Sequence, residues 1–305
     1  MKRIKFSAGW DTSEEITKRL ITQFKTPNID LSDIEFVYDD SYDVIVFNNY
    51  VTEEPKKGSR ACVFFHEPSW SGSHQKDYKN YKDFTVFGHY KELYNSDKII
   101  EIPSHLFYGG RGPWCEGWDF WSYDNIINSK FEKTKNISSV VSNLGFGVDN
   151  HPQGCLYNER CNLISKLIDE IPFVDFYGWG QNETNLKGSI QQKKDGIVDY
   201  KFSICIENTN EKNYISEKFY DCILTNTIPI YFGCKNIKEI WPENGYINIE
   251  DINDTELIIS QLKLINDNVD LYYNNMISEL LKMKERYFSD FNLLKKVYNF
   301  TKWEV

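Results

Sequence analysis

Residues 202–233 read FSICIENTNEKNYISEKFYDCILTNTIPIYFG, and the order of residue types within them decides the fold. Phe202, Ile204 and Ile206 form an apolar run that stops at Glu207-Asn208, so a strand is expected to end there and a polar loop to continue to Tyr214. Ser216 suits an N-cap, and Phe219, Cys222 and Ile223 follow at helical spacing, which predicts a helix opening at about Glu217 and Lys218. Asn226-Thr-Ile-Pro breaks that helix, Ile228 to Phe232 returns as a buried strand, and Gly233 ends it.

In such a strand-loop-helix unit the loop at the strand's carboxyl end and the exposed amides of the helix start form a ready anion site. Lys218 stands in the first helical turn, where the helix dipole disfavours a cation. A bound anion accounts for that placement; the plain alternative is a lysine pointing into solvent.

Glu207-Asn208-Thr209, Tyr214-Ile215-Ser216-Glu217-Lys218 and Ile228-Pro229-Ile230-Tyr231-Phe232-Gly233 together resemble the signature of the α1,3/4-fucosyltransferases. That family reads FEN, a short spacer, Y(V/I)TEK and (I/V)PIYxG. The chain differs in Ile206 for Phe and Ser216 for Thr, and both changes keep the side-chain roles open. A match over roughly thirty residues at fixed spacing is far more specific than a lone glycine pattern.

The rest of the composition bounds the reading. At 305 residues the chain exceeds what one hydrophobic core usually holds, so two domains are expected. A net charge of -10 with no block of basic residues argues against nucleic acid and anionic membrane surfaces. Aromatic residues make up 16%, enough for dense cores and for sugar-stacking surfaces. Seven cysteines without a CxxC pair read as reduced thiols, not as a disulfide framework or a zinc site. The first residues, MKRIKFSAGWD, are too polar for a signal peptide, and no apolar run approaches the ~20 residues needed to cross a bilayer. Eukaryotic members of the resembled family are Golgi proteins anchored by an N-terminal helix, so a bacterial-type, cytoplasmic enzyme is expected.

The chain opens with a strand from Lys2 to Ala8 and a capping box, Thr12 with Glu15, ahead of Ile16, Leu20 and Phe24. Val44 to Phe47 and Ala61 to Phe65 read as further buried strands, the latter ending at His66-Glu67-Pro68. Parallel, doubly wound order places ligand loops at the carboxyl ends of such strands. The segments IKFSAGWDTSEEI, YDVIVFNNY, CVFFHEPSW and FTVFGHY resemble the family's N-terminal domain. The resemblance implies that Glu67 is the catalytic base, with His66 and Pro68 departing from the family's local pattern; Asp11, at the first strand's end, is the next candidate.

Tyr108 to Trp121, YGGRGPWCEGWDFW, reads as an extended loop; it lacks the Lys-Ser/Thr ending of a P-loop, and Trp114 and Trp118 are candidates to stack on an acceptor sugar. Ile137 to Val141 starts the second domain's strands, and Leu163, Ile164, Leu167, Ile168 and Ile171 mark a helix with Arg160 near its start. In the resembled family an Arg in this helix opening contacts the donor diphosphate, which implies that role for Arg160. Ile247 to Ile249 reads as a short strand, Glu256 to Asn266 as a helix, and Leu280 to Phe300 as further amphipathic helix of the kind that returns to the first domain in two-domain glycosyltransferases.

The fold expected is α/β, two Rossmann-like domains facing each other across a cleft in the GT-B manner: residues 1–128 on the acceptor side and 129–305 on the donor side, with the last helix packing back on the first domain. The function expected is an inverting transfer of fucose from GDP-fucose to a galactose- or N-acetylglucosamine-containing glycan, α1,3 first among the linkages. Glu67 takes the acceptor proton, while Arg160, Lys218 and the helix amides meet the charge on the leaving diphosphate. Tyr214 adds a hydroxyl near phosphates or ribose, Glu217 pairs with ribose or sugar hydroxyls, and Asn208 holds a sugar hydroxyl. No resident cofactor or metal site is expected, a divalent ion at most stimulating. GDP and fucose rest on the resemblance alone; the residues by themselves give a phosphorylated ligand at an α/β site. Two alternatives stay open: an inverting glycosyltransferase with another nucleotide sugar, and a non-catalytic glycan-binding protein on the same fold.

Overall fold

The computed structural model describes residues 1–71, 83–93, 96–104, 118–142, 152–179 and 187–302. The chain divides into two compact units, Met1–Asn128 with Arg286–Val305, and Ser129–Glu285.

The first unit is built on strands β1 (Lys2–Ala8), β2 (Ile34–Phe36), β3 (Val44–Asn48), β4 (Arg60–Phe64), β5 (Thr85–Gly88) and β6 (Lys98–Glu101). They form one sheet in the order β2-β1-β3-β4-β5-β6, every pair parallel. Ile45, Phe47, Val63, Phe65 and Val86 are sealed in its core, as near-continuous apolar strands covered on both faces must be. Helix α1 (Ser13–Phe24) is capped by Thr12, whose hydroxyl accepts the Glu15 N–H at 3.3 Å, and buries Ile16, Leu20 and Phe24. The shorter α2 (Tyr123–Asn128) buries Ile126. Phe24 meets Tyr287, their ring centroids 6.1 Å apart, and Asn292 Nδ2 donates to the Phe24 carbonyl at 2.7 Å.

The second unit carries β7 (Lys135–Ser142), β8 (Val174–Trp179), β9 (Tyr200–Ile206), β10 (Ile228–Phe232) and β11 (Ile247–Asn248) in the order β11-β10-β9-β7-β8, again all parallel. Its helices are α3 (Tyr157–Glu170), α4 (Glu217–Leu224), the single turn α5 (Ile237–Ile240), α6 (Thr255–Asp267) and the start of α7 (Val269–Ser289). Leu163, Ile164, Leu167 and Ile168 of α3 and Ile258 and Leu262 of α6 close over Phe202, Ile204, Ile228 and Ile230. The C-terminal helix predicted over Leu280–Phe300 is in fact two, α7 and α8 (Leu293–Lys302). The break falls at Asp290–Asn292, where Asn292 Oδ1 caps α8 by accepting the Lys295 N–H at 3.0 Å. Among the described residues no helix is long and apolar enough to cross a membrane.

One amine ties the amino-terminal end of the second sheet together. Lys133 Nζ donates to the carbonyls of Val198 (2.6 Å) and Thr225 (2.8 Å) and to Thr227 Oγ1 (2.8 Å). The Thr225 carbonyl belongs to the C-terminal end of α4, where a cation is favoured. Burial nevertheless lowers the Lys133 pKa from 10.5 to about 7. Between those values the unfolded chain binds more protons at this position than the folded one, so this group adds stability as the pH rises through that window. Urea denaturation of wild type and Lys133→Met at a series of pH values should therefore show the wild type gaining on the variant from about pH 7 to about pH 10. Parallel profiles would show that Lys133 keeps its ordinary pKa.

Candidate functional site

The order of the second sheet fixes where a ligand can enter. The chain runs from β7 outward to β8 on one side and from β9 through β10 to β11 on the other, so a crevice opens at the carboxyl ends of β7 and β9. Helices α3 and α4 follow those two strands. Their leading loops are stitched together: the Leu156 N–H donates to the Asn208 carbonyl at 2.8 Å, Cys155 bridges Thr209, and Thr209 Oγ1 donates to the Gly154 carbonyl at 3.0 Å.

Glu207, the first residue past β9, is fully buried. A carboxylate in such a place must be saturated with donors. Its Oε1 accepts the Ser216 N–H at 2.7 Å and the Tyr231 hydroxyl at 3.4 Å, while Oε2 accepts the Ser216 hydroxyl at 2.5 Å. Ser216 in turn caps α4, its Oγ accepting the Lys218 N–H at 3.3 Å and Lys218 Nζ at 3.2 Å. Lys218 Nζ lies 3.6 Å from Glu207 Oε2 and 3.2 Å from Glu217 Oε1. The lysine that opposes the helix dipole is thus held by two carboxylates within the protein itself, and an external anion is not needed to explain its position.

The same cluster contains a second lysine. Lys193, in the 3-10 turn Lys193–Gly196, reaches Asp221 Oδ2 at 2.5 Å and Glu217 Oε1 at 3.6 Å. Burial raises the Asp221 carboxyl to about 7, against the pull of Lys193. Burial also works against the charge on Glu217, but Lys218 and then Lys193 outweigh it and hold that carboxyl well below the usual carboxylate range. At Lys218 burial is likewise overcome, here by Glu217 and Glu207, and its pKa rises. Arg160, in the first turn of α3, is buried with its guanidinium 4.7 Å from the Tyr157 ring centroid, and its charge is felt at Lys218, where it opposes protonation. Two lysines and three carboxylates are therefore linked around the start of α4, with Arg160 near enough for its charge to act on Lys218.

Of the residues singled out in the sequence, Arg160, Asn208, Tyr214, Glu217 and Lys218 come together here. Tyr214 is buried, and its hydroxyl donates to Asn208 Oδ1 at 3.2 Å, so these two act as a pair. Glu67 belongs to the other unit, half-buried just past β4. The turn that carries it is tied to the end of β3: Asn49, at φ 62°, accepts the His66 N–H on its Oδ1 at 2.8 Å. Trp118 opens the 3-10 turn Trp118–Trp121 instead of lying in extended chain, and Trp114 lies outside the described residues. Glu207, Lys193 and Asp221 also belong to the cluster, with no role expected for them from the sequence. A charged residue closing an apolar strand run was a usable signal for Glu207. Among the described residues no group of three His, Cys, Asp or Glu could hold a metal ion.

Residues 131–278 match the profile of the glycosyltransferase family 10 (fucosyltransferase) C-terminal domain. The α(1,3)-fucosyltransferase FucT of Helicobacter pylori is 28% identical over 197 residues, covering 63% of this chain and 36% of that protein. The α(1,3)-fucosyltransferase fut-6 of Caenorhabditis elegans is 31% identical over 122 residues, 38% of this chain and 31% of that one. The chain thus spans about a third of the length of the curated relatives it matches. A crystal structure of α1,3-fucosyltransferase with GDP-fucose superposes with a TM-score of 0.52 at 18% identity, covering 90% of this chain and 81% of that one. At that identity the likeness speaks for the fold, an α/β architecture of the GT-B type with two parallel sheets.

The packing around Glu207 generates a test of its own. A Cβ at Gly233 would collide with Glu207 Cγ and come within 2.6 Å of Glu207 Cβ and 2.9 Å of the Tyr231 hydroxyl. Gly233→Ala should therefore displace the buried carboxylate and cost about 1–3 kcal/mol of stability. Chemical denaturation of the two proteins measures it; equal midpoints and slopes would mean that Glu207 has room to move.

Proposed function

Because its residues 131–278 belong to glycosyltransferase family 10, we propose that this chain is an α1,3-fucosyltransferase that takes fucose from GDP-fucose and delivers it, with inversion, to a hydroxyl of a galactose- or N-acetylglucosamine-containing glycan. The observation that carries the reading is the buried cluster at the start of α4, which joins Arg160 and Lys218 to the loops after β7 and β9. Six free thiols among the described cysteines suit a reducing compartment such as the cytoplasm.

In the proposed reaction the acceptor oxygen attacks the anomeric carbon while the bond from that carbon to the diphosphate oxygen breaks. The acceptor proton passes to Glu67, and GDP departs with the bonding electrons. Charge gathers on the diphosphate, and the guanidinium of Arg160, the ammonium of Lys218 and the first amides of α4 are donors suited to meet it. An incoming diphosphate competes with Glu207 and Glu217 for Lys218, so binding exchanges one set of anionic partners for another instead of stripping the lysine bare. The Tyr214–Asn208 pair and Glu217 supply hydroxyl and carboxylate contacts for ribose and sugar hydroxyls.

Lys218→Ala and Arg160→Ala each remove a charge-assisted contact worth about 1.5–3 kcal/mol, so calorimetry should find GDP affinity lower by roughly 10- to 100-fold in each. Unchanged affinity in both would remove the diphosphate from this site. A thermal-shift panel of GDP-fucose, GDP-mannose, UDP-galactose and UDP-glucose tests the donor itself, with GDP-fucose expected to stabilise most.

Glu67→Gln keeps size and hydrogen bonding but cannot take the proton, so turnover at saturating donor and acceptor should fall by about 100-fold or more. GDP affinity should stay at the wild-type value, since the donor cations belong to the second unit. Near-normal turnover of this variant would assign the base elsewhere.

A further inference from the structure

Lys193 stands outside the motif that marks the site, yet it touches the motif's helix at two points. Glu217 and Asp221 are one turn apart on α4, so their carboxylates share a face and repel each other. Lys193 Nζ lies between them, 2.5 Å from Asp221 Oδ2 and 3.6 Å from Glu217 Oε1. The turn that carries it is fixed from beneath. Gly196 passes so near β7 that an added Cβ would stand 2.6 Å from Val140 Cγ2, and the Ile197 carbonyl accepts Thr227 Oγ1 at 3.0 Å. The two carboxylates differ in access: the Asp221 side chain is 2% exposed, that of Glu217 27%. Asp221 is thus the anchored end of the bridge, and Glu217 the end that a ligand can reach.

We propose that Lys193 is a positioning residue of the donor site, holding the Glu217 carboxylate in a fixed place between its own ammonium and that of Lys218. The proposal rests on the donor-site reading given above. Lys218 draws Glu217 from the other side at 3.2 Å and Glu207 at 3.6 Å. Without Lys193, the charge of Glu217, already 3.2 Å from Lys218, is shared with no second ammonium and rests wholly on the cation that a diphosphate needs. The carboxylate also loses the contact that keeps it directed to ribose or sugar hydroxyls. The electrostatics agree with the geometry, since Lys193 helps to keep Glu217 ionised and Asp221, sealed behind it, is driven toward protonation by burial.

The test must separate a positioning role from an ordinary buried ion pair. Removing Lys193 alone strands the Asp221 carboxylate and puts folding at risk, whereas Lys193→Gln with Asp221→Asn neutralises both groups together and keeps a hydrogen bond between them. Wild type, this double variant and Asp221→Asn alone are compared for melting temperature, GDP affinity, and the KM and kcat for GDP-fucose. The double variant should melt near wild type, with donor KM raised at least about tenfold and kcat within about threefold. Asp221→Asn alone leaves Lys193 beside Glu217 and should keep donor KM within about twofold. A folded double variant with wild-type donor KM overturns the proposal, and so does Asp221→Asn alone raising KM as far as the double variant. Wild type that binds neither GDP nor GDP-fucose overturns the donor-site reading, and this proposal with it.

Discussion

The carboxylate of Glu207 is the constraint on which the second unit's site depends. It is sealed from water, and a buried anion persists only where every lone pair is met and an opposite charge is near. Ser216 meets it twice, Tyr231 once, and Lys218 supplies the charge. These partners are the letters of the motif: the Glu that ends β9, the Ser that caps α4, the Lys of its first turn, and the Tyr of β10. Gly233 belongs to the same set because only a residue without a side chain fits against Glu207. The spacing of the motif is therefore the path the chain needs to bring four residues around the carboxylate of a fifth.

That dependence also explains the polarity of the cluster. Asp221 and Glu217 on one face of α4 would repel, and Lys218 at a helix start would be disfavoured, if each were considered alone. Interleaved with Lys193, both carboxylates have an opposite neighbour, and Lys218 has one in Glu217. A cluster built this way is polarised by the protein itself, with fixed dipoles and cations in place of water that would have to reorganise.

Much of this was legible in the sequence, because the signals were local. Apolar runs that stop at a charged or polar pair gave the strands, and Ser216 and Thr12 announced the helix starts through capping chemistry. What was not legible depended on distant partners. Asp221 sits in a helix whose periodicity it does not disturb, and Lys193 precedes the motif in a turn with no hydrophobic pattern, so neither reveals the other. The three-residue strand β2 is too short for periodicity to register, and α7 begins in a stretch of tyrosines and asparagines whose packing only tertiary contacts decide. Spacing alone leaves Lys218 to an anion or to solvent, because Glu207, eleven positions earlier in the chain and across a loop, is not visible as its partner.

The first unit is not contiguous in the chain: its sheet and α1 come from residues before 129, while α8 and the end of α7 follow the second unit. On the ribosome, the first unit's strands emerge early, yet the surface of α1 that receives Asn292 and Tyr287 stays uncovered until the entire second unit has been made. The second unit is drawn from one continuous segment and can complete its own core first. The contacts of Phe24 with Tyr287 and Asn292, at the end of a helix made near the beginning, therefore join residues that are synthesised on either side of a whole unit.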